Sequence, residues 1–503
     1  MVDVAGAVAV PAGSVRGACP GGHRPFVAAD GLLVRVRVPS AILTGDQVAA
    51  VAAVADRGGS GAVELTSRAN LQVRGVRDAA LGAVQRGLAA AGLLPAGAEA
   101  DERRNVVAAP AAGLDPTEVA DVRPVVARLV DRLVDRSAAG GGAGSDDPDR
   151  DAPAPDHAGP DGAGPGAAGL HPKAGAVVDG GGAVSVRGLR HDVGLGACRR
   201  RDTGEVVAEL ALGRPLSTAA DPTTPALVVP WAAAADVAAH ALALTAGGRR
   251  LHEVVADRGL EATVADLARR AGVAVAAVAA GDLDRAAPEP GPPLGVRPAR
   301  TPGWALVGAA PVLGRLDAPA LAALAAASRR HGDGTVRLTP WRTVLVPARA
   351  DTAAALADEL RALGLATGAD DPAVGVVACV GRAGCAAGHT DALADARRLI
   401  DARRARRSPE PSASGAAPDP RGSDPRGADP RSPESGGPDG RARLHVSGCG
   451  KRCASRAVHD VTLVGVAPGR YDVFVRDPDT GGERLARRGV PLPVPLPEAV
   501  PEP

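Results

Sequence analysis

DGLLVRVRVP (residues 30–39), TGDQVAAVAAVADRGG (44–59) and GAVELTSRANLQVRGV (61–76) decide the fold, because the same order of elements returns in the second half of the chain. The first segment alternates as a strand does, with Val34, Val36 and Val38 on one face and Arg35 and Arg37 on the other. The second reads as a helix opened by a capping box, Thr44 with Gln47 three residues on, and the third as a strand pair. PGWALVGAAPV (302–312), LDAPALAALAAASRRHGDG (316–334) and GTVRLTPWRTVLVPA (334–348) repeat that order. Asp317 caps the second helix, Gly58 and Gly332 end the two helices, and Thr339 stands where Thr66 stands. Each unit is a small α/β sandwich, and two related units imply a pseudo-twofold assembly with a site between its halves. At the positions matching Arg35 and Arg37 the second copy is read as having Val307 and Ala309, so only the first copy keeps the paired arginines.

The arginines mark a candidate site for a polyanion. Arg35 and Arg37 share a strand face, and Arg68 and Arg74 in TSRANLQVRG, Arg104 in RRNVVAAP and Lys173 in LHPKAG place further positive charge in segments that otherwise read as core strands or tight loops. Bidentate guanidinium groups suit carboxylates, although surface arginines are common enough that each one alone reads equally as a solvated charge.

Six cysteines occur in the chain, four of them in ACVGRAGC and SGCGKRC: Cys379, Cys385, Cys449 and Cys453. Four thiolates in a C-x5-C and C-x3-C arrangement suit a cubane iron–sulfur cluster. A structural zinc site also takes four cysteines, but favours two to four residues between paired ligands, and buried free thiols are the third option. Gly384, Gly448 and Gly450 let backbone approach the inorganic core, while Lys451, Arg452 and Arg456 set positive charge beside a site that thiolates make negative. His389, His445 and His459 lie near these motifs and read more readily as core or surface groups than as iron ligands or proton donors. Cys198 reads as a buried thiol, and the role of Cys19 stays open.

With 503 residues the chain is long enough for about two to four domains. A net charge of +1, from 58 basic and 57 acidic residues, supplies no global field toward nucleic acid or an anionic membrane. Few cysteines, clustered, point to metal ligation in a reducing compartment, the cytoplasm, rather than to a disulfide framework. The N-terminal residues lack a basic region ahead of their apolar stretch, and no apolar run is long enough to span a membrane. Aromatic residues are 1% of the chain, so the cores must be built from Ala, Val and Leu.

Two stretches rich in Pro, Gly and Asp, 137–169 and 408–440, read as disordered inserts; GPGAAG (164–169) matches a dinucleotide-binding pattern formally but has no strand before it and His171-Pro172 after it. The expected domains are a half-domain at 15–80, an α/β domain at 100–285, a linker at 286–300, a second half-domain at 301–366 and a cluster domain at 370–490.

Taken together, these segments resemble the siroheme-containing sulfite and nitrite reductase superfamily over most of the chain. TSRANLQVRG is similar to its substrate-side strand, RRNVVAAPAAGLDP to its cofactor-contacting loop, and ACVGRAGC with SGCGKRC to its cluster ligands. Within that superfamily, GACPGGHRPFVAADGLLVRVRVP and VGLGA look most like the precorrin-3B synthases. The resemblance implies an α+β fold with two ferredoxin-like half-domains, two larger α/β domains and approximate twofold symmetry. It implies a [4Fe-4S] cluster on Cys379, Cys385, Cys449 and Cys453, with Cys453 in the position that bridges to siroheme, or a non-haem iron nearby. It also implies hydroxylation of precorrin-3A by dioxygen with closure of a lactone, a polycarboxylate tetrapyrrole bound by the arginine set, and electrons from a separate reductase or ferredoxin, since no nicotinamide-binding motif is present. The alternative is a siroheme-dependent sulfite or nitrite reductase. Against that, LHPKAG keeps Lys173 but follows it with Ala174 and Gly175, leaving the pocket for a small inorganic anion without its further basic group.

Overall fold

The computed structural model describes residues 20–134, 169–218, 225–406, 442–455 and 457–492. Cys19, Arg456, nearly all of the insert at 137–169, the insert at 408–440 and most of GPGAAG lie outside the described residues. Two compact units form among the described residues, one drawn from 20–27, 32–308 and 316–359, the other from 28–31, 309–315 and 360–492. No helix among the described residues is long and apolar enough to cross a membrane.

The repeat builds two sheets that exchange a strand. Phe26–Ala28, Gly31–Val36, Leu71–Val76 and Ala62–Leu65 are completed by Arg315–Asp317 from the second copy. Gly295–Pro298, Trp304–Pro311, Val344–Arg349 and Thr335–Leu338 are completed by Ile42–Thr44 from the first. In each copy the exchanged strand runs straight into the helix, Gly45–Gly58 or Ala318–His331, so the trade is reciprocal, as an approximate twofold requires. The capping box forms as the sequence implies: Thr44 Oγ1 accepts from Gln47 N at 3.2 Å and Gln47 Oε1 accepts from Thr44 N at 3.0 Å. Asp317 accepts from Ala320 N at 2.8 Å in the second helix.

The turns joining each strand pair fix the register of the repeat. Thr66 Oγ1 accepts from Asn70 N at 3.1 Å and Thr339 Oγ1 from Thr343 N at 3.3 Å, while Ala69 and Arg342 hold left-handed backbone at φ 50° and 60°. That register corrects the reading of the paired arginines. Val34 and Val36 are 0% and 2% exposed, and their counterparts are Val307 and Ala309, both 0% exposed. Arg35 therefore matches Gly308 and Arg37 matches Ala310; a slip of one residue exchanges the two faces of a strand. No side chain fits at Gly308, where a Cβ would stand 1.8 Å from the carbonyl oxygen of Pro293. The Pro-rich stretch expected to link the halves thus contributes Gly295–Pro298, paired with Ala305–Gly308 as an edge strand, where proline is tolerated.

The first unit also holds a seven-stranded sheet in which Val106–Ala108, Ala176–Asp179 and Val193–Arg200 run parallel before Val206–Leu212 and Pro225–Pro230 return antiparallel. The second unit builds its sheet in the same order. Val376–Ala378, Leu444–Ser447 and Val461–Ala467 run parallel, and Arg470–Arg476 and Glu483–Pro491 follow antiparallel. Its core joins the helix Ala392–Ala405, through Leu399 and Ile400, to Leu444, Val461, Leu463 and the fully buried Tyr471, whose hydroxyl donates to Asp395.

Candidate cluster and ligand sites

In the second unit, the loops leaving two adjacent parallel strands carry the four cysteines. Cys379 and Cys385 follow Val376–Ala378, and Cys449 and Cys453 follow Leu444–Ser447; all four are free thiols, Cys453 exposed and the others partly buried. Parallel pairing makes these loops neighbours. Cys379 N donates to Val446 O at 3.1 Å and His389 N to Gly448 O at 2.7 Å. The Cys453 thiol is held above its usual range, chiefly by burial and then by the charges of Cys449, Cys379 and Cys385, with Lys451 opposing. Among the described residues, no group of three His, Cys, Asp or Glu side chains is arranged to hold a single metal ion.

Backbone and side chains close in on the sulfurs. Gly448 N donates to Cys379 Sγ at 3.0 Å. A Cβ on Gly448 would stand 2.9 Å from Gly381 Cα and 3.5 Å from Cys379 Sγ, so only glycine lets the two loops close. Arg452 holds left-handed backbone at φ 48°, pairs with Glu483 and lies over the Phe474 ring at 4.3 Å, which pins positive charge inside the Cys449–Cys453 loop. Thr462 Oγ1 donates to the other oxygen of Glu483 at 2.6 Å. Beside this loop lies a cavity of about 390 Å³ lined by Lys451, Arg452, His445, Ser455 and Glu483. His445 and His459 are buried with ring centroids 5.3 Å apart, and His389 is exposed.

The first unit repeats this loop construction without thiols. Ala109 N donates to Val178 O at 2.9 Å, as Cys379 does to Val446, and Val119 N donates to Gly180 O at 2.8 Å, as His389 does to Gly448. Cys379, Cys385, Cys449 and Cys453 thereby correspond to Ala109, Asp115, Gly181 and Ser185. Asp115 accepts from Thr117 N, Thr117 Oγ1 and Val184 N, and Asp179 from Gly181 N, Ser185 Oγ and Val186 N. Glu118 accepts from Gly113 N at 2.7 Å while burial pushes its carboxyl up to about 7. Arg337 and Arg300 of the second half-domain grip the loop, Arg337 at Ala112 O (2.7 Å) and Arg300 at Asp115 O (3.2 Å). Cys198 is buried next to Glu209, its thiol pushed up to about 11 mainly by burial.

The positive charges singled out in the sequence fall into two groups. Arg37 is 3% exposed and bonds Asp101 at 2.7 Å; Asp101 also accepts from Gly22 N and Arg104 Nη2, and Arg104 donates again to Leu93 O. Arg74 is 4% exposed and faces Glu64 at 3.5 Å. These three hold the first half-domain and its neighbours together, in place of the open cationic face read from strand alternation. Arg35, half-buried, bonds the amide oxygen of Gln72 at 2.8 Å once that amide is turned to satisfy both groups. Arg68 donates to Asn105 Oδ1 at 2.9 Å, and Asn105 Nδ2 to Ala174 O at 2.8 Å. Lys173 has an exposed side chain.

Sheet register gathers the second group. Val106, Ala176 and Val193 lie side by side, so the residues just before them, Asn105, Gly175 and Asp192, line the start of three parallel strands, with Arg68, Lys173 and His191 close by. A Cβ at Gly175 would stand 2.5 Å from Asn105 Nδ2, so no basic side chain can occupy that position. His191 was not singled out in the sequence, although the signal was present: His191-Asp192-Val193 recurs as His459-Asp460-Val461 at the matching strand start.

Comparison with known proteins agrees with this architecture. The nitrite/sulfite reductase ferredoxin-like half domain matches twice, at residues 27–91 and 297–363. The chain is 28% identical over 97% of its length to a precorrin-3B synthase from Sinorhizobium sp, of which it covers 93%. A ferredoxin–nitrite reductase from Leptolyngbya laminosa is 35% identical over 20% of each chain. The solved structure of Mycobacterium tuberculosis NirA protein matches with a TM-score of 0.62 at 18% identity, over 91% of this chain and 77% of that one. The resemblance drawn from the sequence is borne out, and the fold is the duplicated α+β architecture of two ferredoxin-like half-domains and two larger α/β domains.

Proposed function

We propose that this chain is an iron–sulfur oxidoreductase of the precorrin-3B synthase type, hydroxylating precorrin-3A with dioxygen and closing a lactone in aerobic cobalamin biosynthesis. The observation that carries the reading is the convergence of four thiols on paired loops, in a chain similar over nearly its whole length to a precorrin-3B synthase. Cys379, Cys385, Cys449 and Cys453 would hold a [4Fe-4S] cluster, which when bound supplies single electrons. The Gly448 N–H and the anchored Arg452 would offset its negative charge.

Arg68 and Lys173, with Arg35 at the neighbouring strand, would bind carboxylates on the ring, while Arg37, Arg74 and Arg104 keep the frame in place through Asp101 and Glu64. A site for a small inorganic anion is disfavoured, because Gly175 abuts Asn105 and leaves no room for a second basic side chain after Lys173. Electrons would come from a separate reductase or ferredoxin, in the cytoplasm.

The test is the ultraviolet–visible spectrum, iron and acid-labile sulfide of protein purified without oxygen, followed by turnover of precorrin-3A with dioxygen and a reductant. Cluster absorption with hydroxylated product supports the reading. Siroheme bands with reduction of nitrite or sulfite, and no product from precorrin-3A, replace it with the reductase.

A further inference from the structure

The two His-Asp-Val segments share one structural task, and it belongs to the aspartate. Asp192 Oδ2 accepts from Gly175 N at 3.2 Å and Asp460 Oδ2 from Arg443 N at 2.6 Å, each tying its strand to the start of the adjacent parallel strand. The histidines differ. His459 Nε2 pairs with Ser455 Oγ at 2.8 Å, whereas the His191 ring has the Leu189 backbone beside it but forms no hydrogen bond of good geometry among the described residues, although the residue is only 9% exposed. The residue that matches Ser455 is Arg187, which is turned toward Glu209 and Ser217 O instead. Leaving a buried imidazole without a well-formed hydrogen bond is unfavourable, so a position that merely fills space would favour an apolar side chain.

We propose that His191 is a ligand-contacting residue of the Arg68–Asn105 site, donating one hydrogen bond from its neutral imidazole to a carboxylate on the bound ring. The inference rests on the tetrapyrrole reading above and adds a contact to it. The charged groups facing His191 are Arg68, Asp192 and Arg250, and Asp192 is itself engaged by Arg250 at 2.9 Å through both oxygens. The carboxylate beside the imidazole is thus already matched, while Arg68, held at Asn105 Oδ1, adds positive charge on the same side. Burial first, and Arg68 next, hold His191 down to about 3, so it stays neutral across the working range with one N–H to give. A guanidinium and an imidazole N–H together select an acceptor that is negative.

His191→Phe in the full-length, cluster-loaded protein is the test, with uroporphyrin III, an octacarboxylate porphyrin, as the probe and the shift of its absorption band as the binding signal. The expected result is binding about tenfold weaker with a melting temperature equal to or above that of the unaltered protein, since a buried polar group without a well-formed hydrogen bond has been removed. His191→Asn, which keeps a donor, should bind within about threefold of the unaltered protein. Equal affinity of His191→Phe and the unaltered protein overturns the assignment. Should His191→Phe melt lower, His191→Asn decides: retained binding supports the contact, and lost binding shows a structural role. An unaltered protein that leaves the porphyrin free removes the tetrapyrrole reading and this contact together, whereas binding indifferent to residue 191 removes the contact alone.

Discussion

The two larger α/β domains share strand order, loop closure and even the His-Asp-Val start of their third strand, yet the four thiols of one stand where the other has an alanine, an aspartate, a glycine and a serine. Cys379, Cys385, Cys449 and Cys453 stand at the positions of Ala109, Asp115, Gly181 and Ser185. In both, backbone hydrogen bonds between paired loops do the closing; what fills the closed loops differs. Asp115 and Asp179 in the first domain saturate their neighbours' N–H groups and leave a self-contained network. The second domain places four free thiols on its paired loops, and burial together with the neighbouring cysteines raises the Cys453 thiol. Duplication thus supplied one scaffold, and the side chains in two loops decided which copy carries thiols.

The sharpest break in that comparison comes from paired substitutions at matching positions. Cys385→Ser should abolish iron and sulfide content and lower turnover by more than the roughly 10–100-fold typical of residues outside the ligand set, while Asp115→Ser should leave iron content unchanged and lower the melting temperature through the loss of three hydrogen bonds. Iron lost from Asp115→Ser, or kept in Cys385→Ser, would end the division of roles.

Glycine substitutions separate the copies next. At Gly180 a Cβ would stand 2.3 Å from Glu118 Oε1, so Gly180→Ala should cost about 1–3 kcal/mol of stability with iron retained. Gly448→Ala should release iron at a chelator concentration the unaltered protein withstands, because the loop bearing the N–H bond to Cys379 is pushed off. Equal chelator sensitivity in both variants would contradict this.

Glu118 gives a pH signature to the first domain alone. Its folded pKa, raised to about 7 by burial, lies above its unfolded value, so the contribution is complete below about 4.5 and is lost as pH rises through about 7. Glu118→Gln should flatten the fall in melting temperature between about pH 5 and about pH 8 without altering cluster absorption. A parallel fall in both proteins would show that Glu118 is not the titrating group.

The smallest effects belong to the half-domains, where the two copies should respond alike. Thr44→Ala and Asp317→Ala each remove an N-cap bond and should each cost about 1 kcal/mol in chemical denaturation. A twofold or larger difference between them would show that the caps support unequal helices.

Much of the half-domain was legible because capping and alternation are local. The capping box at Thr44, the cap at Asp317 and the strand–helix–strand-pair order all appear as read. The match of Arg35 to Gly308 was missed because a strand of near-uniform Val and Ala reads almost the same one residue out of step, and only burial of Val307 and Ala309 fixes the register. Arg37 read as an open cation because its partner, Asp101, lies far along the chain on a helix that no strand pattern announces. The two larger domains were read from the resemblance rather than from their residues, because their loops share hydrogen bonds more than side chains.

By itself, the sequence determined the elements whose causes lie within a few residues: the capped helices, the alternating strands, and the four cysteines whose side-chain chemistry fits metal ligation wherever they are placed. Tertiary structure alone decided which charges are neutralised by buried carboxylates and which gather at the strand starts, since pairing depends on what packing brings within about 4 Å. That is why Arg68, beside His191, stands at the strand starts while Arg37 and Arg74 are buried against carboxylates.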